Sequence, residues 1–224
     1  MTTTSSGSGD WSVRISGGLA VDDDVVIADG HTVTLDGNAP NCHAIYVHAN
    51  GTLNTDDVAN ILTVDTETNF GGLIGSDYSI YIAGTLGANV NITVAAPVLT
   101  SLKLNGSSGN LNNVVLNNGS FTGYMEAAAT IAGNLTITAG GIVTNNNALT
   151  VTGQCLVNGG TLTLGSSTVD FGNVEHSSGT INGNTATIDL NNGDASGYIW
   201  EQTGGTWNYN TSTVVCKENG KHIK

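Results

Sequence analysis

The residues that could do chemistry are few, and most of them are neighbours. Asp22-Asp23-Asp24 and Asp56-Asp57 are the closest-spaced carboxylates. Paired acids cleave glycosidic bonds when their carboxyls stand roughly 5–10 Å apart, one giving a proton and the other serving as base or nucleophile. Sites that act on acidic sugars also place cations beside the acids, and here only Arg14 and Lys103 precede Lys217. The acids therefore read as solvated turn residues. The run NCHAIYVH at 41–48 gathers Cys42, His43 and His48. On a strand, His43 and His48 differ by an odd number and point to opposite faces. Cys42 and His48 share a face but stand about 20 Å apart at about 3.3 Å per residue, so one strand builds no tetrahedral site from them. No metal and no cofactor is expected. Serines are plentiful, but no Gly-x-Ser-x-Gly elbow occurs, and no Gly-rich loop opens an amphipathic helix. The chain reads as a non-enzyme.

The densest aromatic group is Tyr198, Trp200, Trp207 and Tyr209, in a chain that is 5% aromatic. Clustered Trp and Tyr anchor interfaces or stack on sugars. These four are the candidate interaction residues, with a structural cap as the competing role.

Charge narrows the partners. Eighteen acidic residues against five basic ones give a formal net charge of −13. A nucleic-acid partner needs a basic stripe to meet phosphates, and an anionic membrane repels such a surface. No run reaches the ~18 apolar residues of a membrane span. Cys42, Cys155 and Cys216 are widely spaced and odd in number, which fits free thiols in a reducing compartment better than a disulfide framework. MTTTSSGSGDW lacks the basic and apolar regions of a signal peptide. Synthesis in a cytoplasm is the expectation.

Composition then fixes the elements that must carry these residues. Gly is 31 of 224 and charged residues are 10%, which argues against long charged helices. Runs of three to six Val-, Ile-, Leu- and Thr-rich residues recur, as at Val25–Ile27, Thr32–Leu35, Leu149–Thr152, Val169–Phe171 and Thr187–Leu190. Asn-Gly pairs beginning at 50, 105, 118, 158, 182, 192 and 219 supply tight turns. The fold expected is all-β, a parallel β-solenoid with short irregular coils, and the alternative is an antiparallel β-sandwich. NLTITAGG at 134–141, ALTVTGQ at 148–154 and GTLTLGSS at 160–167 share one wording and read as stacked rungs. Thr32/Thr34, Thr136/Thr138, Thr150/Thr152 and Thr161/Thr163 repeat as Thr-x-Thr, with the last three offset by 14 and 11, too irregular for an ice-binding plane. YMEAAAT at 124–130 reads as a helical turn. The domain division expected is a flexible or partner-ordered arm at 1–10, a solenoid at 11–197 and a cap or interaction segment at 198–224. Trp11 to Leu19 is the expected N-terminal cap.

The stretch at 9–54 carries a resemblance. Trp11 follows a Gly/Ser/Asp-rich arm. Asp24-Val25-Val26-Ile27, Gly30 and Thr32-Val33-Thr34-Leu35 come next, and then Val47 and Gly51-Thr52-Leu53. This resembles the opening module of β-solenoid proteins on phage particles and bacterial surfaces, of capsid-decoration or fibre type. The resemblance implies a structural part of a virion exterior, made in the host cytoplasm and displayed on the particle. It implies other virion proteins as partners and a homo-oligomer of trimeric type. Thr2, Thr3, Thr4 and Trp11 would then serve particle attachment. The alternative is an extracellular, glycan-binding adhesin or receptor-binding fibre that uses Trp200, Trp207 and Tyr209.

Overall fold

In the computed structural model, the residues described are 2–15, 23–36, 41–66, 77–97, 99–194 and 196–224. Short alternating runs with Gly and Asn between them wind into a parallel β-solenoid of about nine turns. Each turn has three faces. The first face begins with Thr2–Thr4, Asp24–Ile27, Ile45–Val47 and Tyr78–Ile82 and ends with Thr206–Asn208. The second begins with Gly9–Asp10, Thr32–Leu35 and Thr52–Thr55 and ends with Thr213–Cys216. The third begins with Asn41–Cys42, Ile61–Val64 and Asn91–Val94 and ends with His222–Ile223. All the paired strands are parallel, which removes the antiparallel sandwich; Asn105 and Asn110 form one isolated antiparallel bridge.

The turn is longer than the sequence wording implied. Leu149 faces Val169 at an offset of 20, Val169 faces Ile188 at 19, and Ile188 faces Val214 at 26. NLTITAGG, ALTVTGQ and GTLTLGSS therefore do not stack run on run, and the first meets the third only at its end, Gly141 against Thr161. Leu135 lies against Cys155 on the third face, Leu149 against Val169 on the second, and Leu162 against Ile142 and Ile181 on the first. The three Thr-x-Thr pairs that they contain are spread over three faces for the same reason. A hydroxyl ladder does form elsewhere, along Thr32, Thr52, Thr85 and Ser108 on the second face.

Alternation turns one side of every strand inward. The resulting columns fill the interior, as in Val64, Val94, Leu116, Ile137, Val157 and His176. Fully burying each aliphatic member stabilises the fold by about 1.5–3 kcal/mol relative to exposure. At the corners the turns approach too closely for a side chain. A Cβ on Gly160 would sit 2.3 Å from the Gly140 carbonyl oxygen, and one on Gly179 would sit 2.2 Å from that of Gly160. Gly179 also holds φ at +78°, which other L-residues adopt at a cost.

Residues 2–10 are built into the solenoid rather than standing off as an arm. Thr2–Thr4 pair with Asp24–Val26, and Thr is a good strand former. Their hydroxyls find fixed partners: Thr3 Oγ1 donates to Asp23 Oδ2 at 2.9 Å, and Ser8 Oγ accepts the Thr32 N–H at 2.8 Å. A single helical turn, Trp11–Arg14, follows, with Trp11 and Ile15 buried in the core. The rest of the expected N-terminal cap, 16–19, lies outside the described residues. The segment 198–224 continues the parallel ladder as the last turn and is not a separate cap. YMEAAAT is not helical: Ala129–Ile131 is a strand against Leu149–Val151. Seven residues are too few to hold a helix against a ladder that offers every backbone group a partner.

Gly179→Ala is expected to destabilise the fold by about 2–5 kcal/mol, from left-handed strain and backbone overlap together. Gly119→Ala, with nothing within 4 Å of its Cβ position, should cost less than about 1 kcal/mol. Urea unfolding of both variants checks the contrast, and equal losses would refute the corner argument.

Candidate interaction surfaces

The candidate carboxylates are occupied by the fold. Asp56 Oδ1 accepts a bond from Asn60 Nδ2 at 2.6 Å, and Asp57 Oδ1 accepts the Ala59 N–H at 2.9 Å. Both acids close one turn of chain. Asp22 lies outside the described residues, Asp23 takes the Thr3 hydroxyl, and Asp24 stands 3.9 Å from His43. Asp29 Oδ1 accepts the Asn50 N–H at 3.1 Å and lies 3.0 Å from His48 Nδ1. The Asn50 bond, with His48 beside it, holds the Asp29 carboxyl below the ordinary carboxylate range. Cys42 points into the core while His43 and His48 meet different acids, so the NCHAIYVH residues diverge. Among the described residues, no three His, Cys, Asp or Glu side chains converge. Grooves along the flanks are lined by Gly, Thr, Asn, Ser, Ala and apolar residues, without an ionisable group.

The expected aromatic platform divides. Trp200 and Trp207 meet at 5.0 Å between ring centroids and 57° between planes. Both belong to inward columns, Trp200 above Val174 and Trp207 above Ile181. Trp200 is 5% exposed and Trp207 half-buried. Tyr198 lies under Lys224 Nζ, 5.2 Å from its ring centre, and Tyr209 stands exposed after the Thr206–Asn208 strand. Trp200, Gln202, Trp207, Val214, Ile223 and Lys224 surround a shallow cavity at the end of the rod. Of the residues expected to serve attachment, Thr2–Thr4 are a ladder strand and Trp11 is buried. A buried indole cannot meet a partner surface.

Comparison with known protein families, curated proteins and solved structures yields no match.

A second aromatic group, which sequence reasoning missed, lies outside the first face, where Tyr46 and Tyr78 are buried and Tyr81 half-buried. Tyr46 and Tyr81 are adjacent rungs on the outside of the first face, with rings edge-on at 5.1 Å. Tyr78 meets Tyr81 edge-on at 4.8 Å, His48 stacks on Tyr46 at 4.8 Å, and Lys103 Nζ lies 4.6 Å from the Tyr81 ring centre. Such a cation–π contact contributes about 0.5–1 kcal/mol at an exposed site. Burial, then Tyr81 and Asp29, raises the Tyr46 pKa; burial, then Glu126 and Tyr81, raises that of Tyr78. Tyr124, 38% exposed, follows two rungs above Tyr78 through Ser101. The available signal was Tyr at the outward position of AIYV and YSIYI, where other strands carry Thr or Ser.

His176 occupies an apolar column position and is fully buried. Its Nδ1 has no hydrogen-bond partner, and its Nε2 lies 3.4 Å from the Gly179 carbonyl oxygen. Burial pushes its pKa below the ordinary value, against the smaller raising effect of bonds with Gly179 and Ser178. The fold therefore favours the neutral imidazole. As pH falls through about 6.5, the unfolded chain takes up this proton first, so stability present above that pH is lost below it. His176→Val, matching Val157 beneath it, should show a smaller drop in Tm between about pH 8 and pH 5.5 than the parent chain. Equal drops in thermal scans would assign the pH dependence to other groups.

Proposed function

We propose that this chain is a non-enzymatic structural component of a virus-particle exterior, of phage type, acting as a rigid acidic rod. The observation that carries the reading is the use made of its reactive side chains. Asp29 with His48, Asp56 with Asn60, Asp36 with Ser12 and Ser101 with Glu126 join one turn to another or close a loop. A catalytic site needs such groups free and convergent; a scaffold needs them bonded. The parallel ladder leaves few segments able to open locally for a protease, and the acidic, hydroxyl-rich surface keeps copies apart in solution. Both suit a protein displayed outside a cell. Peptide mass spectrometry across a density gradient of virus particles from the natural source tests this. Peptides that follow the major capsid protein support the reading, and peptides confined to cell-envelope fractions overturn it.

A second reading, a glycan-binding adhesin, is favoured by the outer aromatic group. Tyr81 and Tyr124, two rungs apart with Lys103 on the strand between them and Glu126 beyond, offer rings and hydrogen-bonding groups to a sugar. In this reading Tyr124→Ala abolishes binding on a glycan array without lowering Tm, while Trp207→Ala lowers Tm through the core. Binding that survives Tyr124→Ala would eliminate this surface.

A further inference from the structure

The inward column of the third face turns polar at one level. Val94, Leu116, Ile137 and Val157 succeed one another, His176 follows, and Gln202 stands in register above it. The imidazole is fully buried and its Nδ1 has no hydrogen-bond partner. Its Nε2 lies 3.4 Å from the Gly179 carbonyl oxygen. Buried polar atoms nearly always find partners, so an orphaned nitrogen inside the rod needs a cause.

The corner Thr203-Gly204-Gly205 is folded onto this ring. The Thr203 and Gly204 N–H groups both donate to the His176 carbonyl oxygen, at 2.9 and 3.3 Å. Gly205 holds φ at +72°, and a Cβ there would sit 2.2 Å from His176 Nε2. Only glycine closes the corner this tightly, and two glycines in succession also leave it freer to open than other residues would. The core side offers a charge nothing. Val157 lies beneath the ring, and Phe171 and Ile181 of the same turn are buried and apolar. The ionisable groups on the strands packed here are Cys155, Glu175 and Glu201. Alternation puts Glu175 and Glu201 on the outer side of the sheet, where they engage Gln154 and Lys224. Cys155, beneath Val174, is a thiol that burial keeps protonated. Among the described residues, no carboxylate pairs with the ring.

We propose that His176 and the corner 203–205 form an acid-sensitive latch: a proton taken up by the imidazole parts the corner from the ring and frees the Thr206–Asn208 strand, with Trp207, from the first face, while the preceding turns stay stacked. A buried cation without a partner is strongly disfavoured against a hydrated one. Breaking two N–H bonds at a glycine corner brings water to the ring with little disruption, whereas the other route runs through Val157 and the apolar interior. Burial holds the closed-state imidazole below its ordinary value. The open state recovers that value, about 6.5, so each unit of pH below it raises the open-to-closed ratio by up to about tenfold. Above it the latch is at its tightest. The opening is local, unlike the loss of whole-chain stability described above, and the inference does not rest on the virion reading.

Tryptophan emission and amide hydrogen exchange of the 224-residue chain, followed from about pH 8 to about pH 4.5, test the latch. The Trp200–Trp207 contact, 5.0 Å between centroids, should loosen as the pH falls and shift the emission to the red. Once the intrinsic pH dependence of exchange is removed, the Thr203 and Gly204 amides should lose protection by about tenfold or more. The amides of Leu149–Thr163 and the far-UV circular dichroism should not change. The His176 ring, followed by NMR with histidine-selective labelling, should titrate with the same midpoint as the emission. His176→Val, which continues the Val157 column, should remove both the emission step and the loss of protection. If that variant does not fold, agreement between ring titration and emission in the parent chain still decides. No step over this range, a step that persists in His176→Val, a ring titration displaced from the emission midpoint, or simultaneous loss of protection over Leu149–Thr163 would each overturn the proposal.

Discussion

Every turn of this molecule depends on its neighbours for its backbone hydrogen bonds. The Val25 N–H donates to the Ala44 carbonyl one turn on, and the His48 N–H returns a bond to Ile27. A single turn has no internal partners for these groups, and each one left unmade inside the rod would cost about 1–3 kcal/mol. Stacking is therefore the condition of structure, and it demands a constant cross-section. Strand length, inward volume and corner shape all follow from that demand. Extra chain is admitted between faces, as in the 26-residue offset from Ile188 to Val214, while the paired positions stay in register.

The same demand explains why polar side chains do so little else. Asn91 Oδ1 accepts bonds from Asn112 and Asn113, Asn113 Oδ1 accepts the Asn134 N–H, and Asn134 Oδ1 accepts the Gln154 N–H. Each amide reaches one turn on and replaces a ladder bond lost at the corner. The corner residues Asn145, Asn146 and Asn184 also take left-handed backbone angles, which Asn tolerates better than most. The abundance of Asn and Gly is thus a product of close approach between turns. The two buried thiols show the converse. Burial raises the pKa of both, that of Cys155 up to about 12, so they serve as small apolar fillers rather than nucleophiles.

What the sequence made legible follows from this arrangement. The inward and outward alternation of Leu149/Val151 and Val169/Phe171 was readable because period two is local. The length of a turn was not, because three faces share one wording and cannot be told apart without their partners. Composition misled at both ends. The Thr/Ser/Gly start reads as a tether, yet its hydroxyls match acceptors and donors on the next turn. Trp200 and Trp207 read as a platform or a cap, and only register discloses that they stand on aliphatic columns. Tyr46 and Tyr81 went unnoticed because 35 residues separate two adjacent rungs.

The lateral ladder also sets how the rod would respond to force. Strands run across the long axis, so tension applied at the two termini loads the inter-turn bonds a few at a time. Turns would peel one at a time, each following as its outer neighbour departs. A turn of 20 residues, as between Leu149 and Val169, releases roughly 65–70 Å of extended chain. The molecule is thus built to resist bending and cutting, and to yield along its axis turn by turn.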